Sequence, residues 1–244
     1  MRKVSIGLGA IAAICAFAAP ASSAFAAQTL TIAPKITGKL GGPGKITFGF
    51  TIASTTGGIP SPLAGPFVEK IPKGIKLAGS GFPICPYTTI TAASSSIPPA
   101  CPAGSALGSG TSIVQAQIGT THLIENSVVK AYLIGASPVS IGFWGNGTTP
   151  IAQTVFFKGS LLPTGSPFSY VMNTLTPVIP TVQGGPNASV TSFNITLGST
   201  MKKGKKTLST ITLPKKCSGK LQWAASDSYV DGSSNSTTAT TSCP

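Results

Sequence analysis

The chain has 244 residues, a formal net charge of +13 at pH 7, four acidic residues and one histidine, His122. With so few carboxylate and imidazole groups, it has little material for general acid–base catalysis or for binding a metal ion. Every basic residue after Arg2 is a lysine. The rest of the chain therefore lacks the guanidinium group of arginine, which forms paired hydrogen bonds with phosphate and guanine. The composition therefore argues against an enzyme and against specific recognition of nucleic acid.

The N-terminus has the three parts of a secretory signal peptide. Two basic residues precede an apolar run over 4–19, and small residues surround a cleavage site after Ala26 or Ala27. A membrane anchor is the alternative, but the apolar run is short and Pro20 breaks it. We predict a signal peptide over 1–27 and a secreted protein, extracellular or associated with the cell wall.

Removing residues 1–27 leaves 217 residues with a net charge of +11 and four cysteines, Cys85, Cys101, Cys217 and Cys243. An even number of cysteines in an oxidising compartment predicts disulfides, for which three pairings are possible. We predict Cys85–Cys101 and Cys217–Cys243, because closure between neighbours in sequence is the simplest pairing. Close cysteine spacing and histidine partners are both lacking, so neither a zinc site nor another cofactor is expected.

The first part of the mature chain, residues 28–118, is predicted to form an N-terminal β lobe. Residues 45–53 alternate apolar and polar side chains with a period of two, as a half-buried antiparallel strand does. Five prolines between residues 54 and 83 prevent a helix and confine any strand there to a sheet edge. The loop between Cys85 and Cys101 then leads into a further alternating strand.

Residues 119–244 are predicted to form a C-terminal β lobe. We expect a hairpin from Thr120–Ile124 and Ser127–Ile134 about Glu125-Asn126, followed by more alternating strands as far as Cys243. About a dozen short strands separated by turns, with no helix after the signal, predict an all-β protein. The expected fold is an antiparallel β-sandwich, Ig-like or related, with a division into two β lobes near Gly119.

No catalytic constellation emerges from the reactive residues. His122 lies in a polar stretch, and no G-x-S-x-G elbow accompanies it, so a surface histidine is the favoured interpretation over a hydrolase. Asp227 and Asp231 are four residues apart, but Asp231 precedes a glycine and is typical of a turn-capping side chain. We therefore predict that the protein is not an enzyme.

The strongest charge cluster is the run 202–206, which contains Lys202, Lys203, Lys205 and Lys206 around a glycine. It predicts a hairpin tip, where solvated lysines protect a sheet edge from aggregation. The functional alternative is a contact with an anionic cell-envelope polymer or a phospholipid surface, which salt would weaken.

Two tryptophans are candidates for an aromatic ligand platform. Trp223 alternates with Leu221 and Ala225 one strand after Cys217, so packing on a disulfide explains it. Trp144 precedes the turn Gly145-Asn146-Gly147 and is the better candidate for a solvent-facing ligand platform.

Several motifs together resemble those of a known group. These are F-P-x-C, C-P-A-G-S-A-L-G-S-G-T, L-P-K-K-C-S-G-K-L-Q-W and Y-V-D-G with a terminal cysteine, and the similarity covers the chain from about Pro60 to Cys243. In this respect the chain resembles secreted all-β proteins of actinobacteria for which no activity is known. The resemblance implies a bacterial protein with two disulfides and supplies no catalytic residues.

These observations predict a secreted, non-catalytic β-protein that binds a ligand or serves as a structural module at the cell envelope. An alternative is a carrier of an apolar ligand or lipid in an internal cavity, suggested by the apolar connection 175–180. A hydrolase that uses His122 is a further, disfavoured alternative, and the ligand and the oligomeric state stay open.

Overall fold

A computed structural model describes residues 28–181 and 185–244. The predicted signal peptide, residues 1–27, lies outside the described residues. Within the described ranges, the chain folds as antiparallel β-strands with one short helix. The prediction of an all-β antiparallel protein is therefore confirmed.

The strands and the helix are numbered in chain order. The first half contains β1 (Gln28–Ile32), β2 (Lys35–Gly38), β3 (Gly44–Ser54), β4 (Gly65–Pro72), β5 (Lys76–Leu77), α1 (Tyr87–Thr91), β6 (Ala106–Ile118), β7 (Thr121–Ala136) and β8 (Val139–Gly147). The second half contains β9 (Gln153–Pro163), β10 (Phe168–Thr176), β11 (Ile179–Pro180), β12 (Asn187–Leu197), β13 (Thr200–Lys203), β14 (Lys206–Ser209), β15 (Ile211–Thr212), β16 (Lys220–Ser228) and β17 (Ser234–Ser242).

One large sheet curls into a nearly closed, barrel-like wall. Its strand order is β1-β3-β12-β6-β7-β8-β9-β10-β4-β16-β17, with β2 and β11 as short additions. The two edges, β1 and β17, meet through side chains: Asn235 Nδ2 donates to the carbonyl oxygen of Gln28 at 2.8 Å. Gln28 Nε2 also donates to Asp231 Oδ2 at 3.2 Å, in the turn that precedes β17. These contacts hold the two edges of the sheet together.

The expected sandwich is not confirmed, because strands from both ends of the chain belong to one continuous sheet. A period of two shows that one face of a strand is buried, but it is the same in a sandwich and in a barrel. The boundary predicted at 118/119 falls in the tight turn between β6 and β7, and β6 pairs with β7 from one of its ends to the other.

The hairpin expected about Glu125-Asn126 is wrong. Strand β7 runs through these residues without a break, and the turn lies earlier, at Gly119 with φ 58°. Glu125 faces the barrel interior near its end, where its carboxylate accepts hydrogen bonds from the backbone N–H groups of Thr149 (3.1 Å) and Ile151 (2.9 Å). A polar residue in the middle of a strand was thus mistaken for a turn.

Both predicted disulfides are present. Cys85–Cys101, with Cα atoms 5.1 Å apart, closes the loop that carries α1 across the outer face of the barrel. Cys217–Cys243, with Cα atoms 5.9 Å apart, joins the loop three residues before β16 to the residue after β17. Each bridge restricts the unfolded chain, a stabilisation of about 3 kcal/mol for loops of this length.

The barrel interior is lined with aromatic rings. Phe50 stacks on Phe67 with centroids 4.4 Å apart, and Phe143 stacks on Phe157 at 4.6 Å. Phe193 contacts rings of both pairs and links the opposite walls. Among the described residues, none of the helices has the length and apolar character needed to cross a membrane.

Candidate binding site in the barrel interior

A cavity of about 120 Å³ occupies the middle of the barrel. Inward-facing side chains of nearly every long strand line it, and most of them are aliphatic or aromatic. An apolar cavity of about 150 Å³ is large enough to bind benzene. The interior can therefore accept a molecule, or part of a molecule, of about that size.

Glu69 is the one ionisable side chain that lines this cavity within the described ranges. It lies in the middle of β4, opposite Met172 of β10 and Ala225 of β16, and it is 2 % exposed. Its carboxyl forms neither a hydrogen bond nor an ion pair with any described residue. Loss of hydration raises the pKa of Glu69 from 4.5 to about 8, so the carboxyl is neutral at pH 7.

Thr174 supplies a second unsatisfied polar group in the same wall. It lies on β10 opposite Phe67, one step along the inward face from the Met172–Glu69 pair. Its Oγ1 is buried and has no hydrogen-bond partner in the described part of the chain. Diagonal neighbours of this kind on paired strands are about 7–8 Å apart. Two polar groups without partners thus face one apolar space.

A smaller cavity of about 40 Å³ adjoins the first. The two share Val114, Ser127, Val155 and Ile179 in their linings. The smaller one also contacts Glu125, which fastens the 148–151 loop across this end of the barrel. The barrel interior therefore continues toward the end that this loop covers.

The four lysines predicted at a hairpin tip do lie there. Strands β13 and β14 pair, Gly204 and Lys205 form the turn, and Lys202, Lys203, Lys205 and Lys206 are all exposed. The positive φ of Gly204, 59°, is a backbone conformation that glycine adopts without strain.

These lysines belong to a larger basic surface at one end of the barrel. Strand directions place the starts of β3 and β16 and the ends of β4 and β12 at this end. Exposed lysines cluster on the strand ends and loops there: Lys39, Lys45, Lys73, Lys76, Lys202, Lys203, Lys205, Lys206, Lys215, Lys216 and Lys220. We call this surface the lysine end.

The acidic residues lie elsewhere. Glu125 and Asp231 lie toward the opposite end of the barrel, Asp227 is buried near it, and Glu69 is inside. Charge is therefore segregated along the barrel axis, a feature that requires the fold and does not show in the sequence.

Trp144 is not open to solvent as its sequence context suggested. It is 4 % exposed, and it packs with Cys85, Ile90 and Tyr132 under the disulfide-closed loop. The ammonium group of Lys130 lies 5.5 Å from its ring centroid, a cation–π contact. Trp223 was expected to pack on a disulfide; it is fully buried in the main core, and its Nε1 donates to Thr241 Oγ1 at 3.1 Å.

Each of the residues considered for catalysis has its own hydrogen-bond partners, and none of the hydrogen bonds in the described part of the chain joins His122 to Asp227 or Asp231. His122 is exposed, and its Nε2 is 3.1 Å from Oε1 of Gln115, with no serine or carboxylate among its described hydrogen-bond partners. Asp231 Oδ1 accepts hydrogen bonds from the backbone N–H (2.8 Å) and hydroxyl (2.6 Å) of Ser233, which is the predicted turn capping. Asp227 is buried and accepts a hydrogen bond from the hydroxyl of Tyr229 at 2.8 Å.

Sequence reasoning missed Glu69 and Thr174. Glu69 lies in the proline-rich stretch where any strand was expected at a sheet edge, which is wrong, because β4 lies between β10 and β16. Phe67, Glu69 and Ile71 alternate there as an inward face does. An acidic residue at the centre of such an alternation could have marked Glu69 as a candidate site residue, because acidic residues are rarely buried without a partner.

No protein-family model, curated protein or solved structure matches this chain. The resemblance to secreted proteins of actinobacteria therefore stays a prediction, and functional inference depends on the chain's own geometry.

Proposed function

We propose that this protein binds a small apolar ligand, or the apolar part of a larger one, inside its barrel. The observation that carries the proposal is the cavity of about 120 Å³ walled by aromatic and aliphatic side chains. An empty apolar space leaves its lining without dispersion contacts, and a ligand of matching size restores them. Concave, mostly apolar sites with few polar groups are typical of small-molecule binding.

Methionine NMR tests this proposal directly. Beyond residue 27 the chain has two methionines, Met172 in the cavity wall and Met201 on the β13–β14 hairpin. In protein labelled with ¹³C at the methionine methyl groups, titration with toluene should shift the Met172 signal in a saturable way and leave Met201 unchanged. A Met172 signal that does not respond to toluene, phenol or cyclohexanone would refute the proposal.

A cavity-filling variant provides the matched control. Gly145 lines the cavity, and a Cβ built on it meets its nearest heavy atoms at an ordinary distance, 3.7 Å from the carbonyl oxygen of Val155. Gly145→Leu should therefore occupy the space and abolish the Met172 response. Gly165→Leu, at a position where a Cβ meets nothing within 4 Å, should bind like the wild type.

The lysine end supports a second function, attachment to an anionic surface of the cell envelope. Eleven exposed lysines cluster there, and a basic surface attracts phosphate-bearing lipids through a field that salt screens. Sedimentation with vesicles of phosphatidylglycerol should decrease steeply between about 20 and 150 mM salt, and vesicles of phosphatidylcholine should not bind. Equal binding to both kinds of vesicle would exclude this function, and competition by a soluble anionic wall polymer would identify the polymer as an alternative partner.

A further inference from the structure

Glu69 and Thr174 point to a chemical class of ligand. We propose that these two side chains form a polar subsite that selects, among small apolar molecules, those with one neutral hydroxyl or carbonyl group. This inference depends on the ligand-binding function proposed above and makes it more specific. It begins from two buried polar groups that have no partner within the described protein but face the same cavity.

Leaving such groups unpaired is costly. A buried polar group without a hydrogen bond loses the interactions that it has with water in the unfolded chain, and native proteins contain few such groups. Replacing Glu69 with a leucine would remove this cost and would suit the surrounding lining. A carboxyl retained at the centre of an apolar wall is therefore explained best by a bound molecule that completes its hydrogen bonds.

The two side chains complement a neutral ligand group. A protonated carboxyl offers one O–H donor and a carbonyl acceptor, and a threonine hydroxyl both donates and accepts. A ligand hydroxyl placed between Glu69 and Thr174 can therefore accept from one and donate to the other. A ligand carbonyl can accept from both.

Charged ligands fit this subsite poorly. No lysine lines the cavity in the described ranges, so a carboxylate ligand would meet no positive charge. An ammonium ligand would form one ion pair in an apolar space, where the cost of desolvating both charges is poorly compensated without further hydrogen bonds. The groups that adjoin Glu69 supply no positive charge for a carboxylate ligand. On β10 these are Met172 and Thr174, which are uncharged. On β16 the titratable side chain of the inward face is Asp227, which accepts a hydrogen bond from Tyr229.

Matched probe pairs test the inference. Phenol and toluene have the same shape and differ by a hydroxyl in place of a methyl group, and cyclohexanone and methylenecyclohexane differ by a carbonyl oxygen. At pH 6, Glu69→Leu should weaken phenol and cyclohexanone binding about tenfold or more, a change of about 1.4 kcal/mol or more, and should leave toluene binding within about twofold. Thr174→Val should weaken phenol binding in the same direction and serves as a second, independent variant.

The pH dependence of binding separates this subsite from a general effect of the substitution. Cyclohexanone only accepts hydrogen bonds, so its affinity should fall as the pH rises past about 8 and Glu69 loses its proton. Glu69→Gln keeps an N–H donor at every pH, so this decrease should disappear in that variant. Both measurements use the Met172 methyl signal, with Met201 as the internal reference.

Three results would overturn the inference, and each differs from failure of the proposed function. One is an equal response of phenol and toluene to Glu69→Leu. Another is a decrease in cyclohexanone affinity above pH 8 that persists in Glu69→Gln. The last is a higher affinity for cyclohexylamine than for cyclohexanone, with an affinity for the amine that rises as Glu69 ionises. Glu69 would then be the counter-ion of a cationic ligand. If no probe shifts Met172, the binding function itself fails.

Discussion

Replacing Glu69 with glutamine should change how stability depends on pH. Below pH 4.5 the Glu69 carboxyl is protonated in both the folded and the unfolded chain, so it adds nothing to the pH dependence. Between 4.5 and about 8 the unfolded chain releases this proton and the folded chain retains it, because burial raises the pKa of Glu69 to about 8. The free energy of unfolding therefore falls as the pH rises through this window.

The magnitude follows from the width of the window. A rise from 4.5 to about 8, at about 1.4 kcal/mol for each pH unit, gives about 5 kcal/mol in total and about 3 kcal/mol at pH 7. Urea unfolding at intervals from pH 4 to pH 9, followed by the fluorescence of the two buried tryptophans, Trp144 and Trp223, measures it. Subtracting the Glu69→Gln values cancels the contributions of Asp227 and other groups common to both proteins. A difference that stays within about 1 kcal/mol from pH 4 to pH 9 would refute the reasoning.

Other features of the structure give shorter tests. Converting the four hairpin lysines, 202, 203, 205 and 206, to glutamine should weaken binding to anionic vesicles at least tenfold in a sedimentation assay, whereas Lys70→Gln with Lys158→Gln, on the outer face of the sheet, should have little effect. Gly110→Ala should destabilise the fold by about 3 kcal/mol or more in urea unfolding, because a Cβ there collides with the backbone of β12; a loss below about 1 kcal/mol would show that β6 does not approach β12 so closely. Asp231→Ala should cost about 1 kcal/mol at pH 7 and less in acid, where the carboxyl is protonated; burial opposes ionisation, but hydrogen bonds, chiefly from Ser233, outweigh it and lower the pKa of Asp231. An equal cost in acid and at pH 7 would contradict this.

The sequence was sufficient for the local features of the fold. The alternation of Ile46, Phe48, Phe50 and Ile52 predicted a half-buried strand, and these side chains do face the interior. The cysteine pairing and the turn at Asp231 were also predictable, because each depends on residues close in sequence.

The closure of the sheet and the position of the site were not predictable in the same way. Pairing between β3 and β12 joins residues about 150 positions apart, and no local pattern encodes that choice. The neighbours of Trp144 are turn residues, which predicted exposure, but the loop closed by Cys85 and Cys101, more than 40 residues earlier in the chain, covers it. Glu69 is buried because β10 and β16 pair with β4 on its two sides. These pairings join distant parts of the chain, so the sequence does not show that one carboxyl lies in the wall of a cavity.

The uneven distribution of charge has a mechanical consequence. Lysines concentrated at one pole of the barrel, with carboxylates toward the other, create an electric dipole along the barrel axis. Such a body rotates as it nears a negatively charged plane, and it arrives with the lysine end first. The pole covered by the 148–151 loop then points outward into the surrounding fluid, where solutes arrive by diffusion.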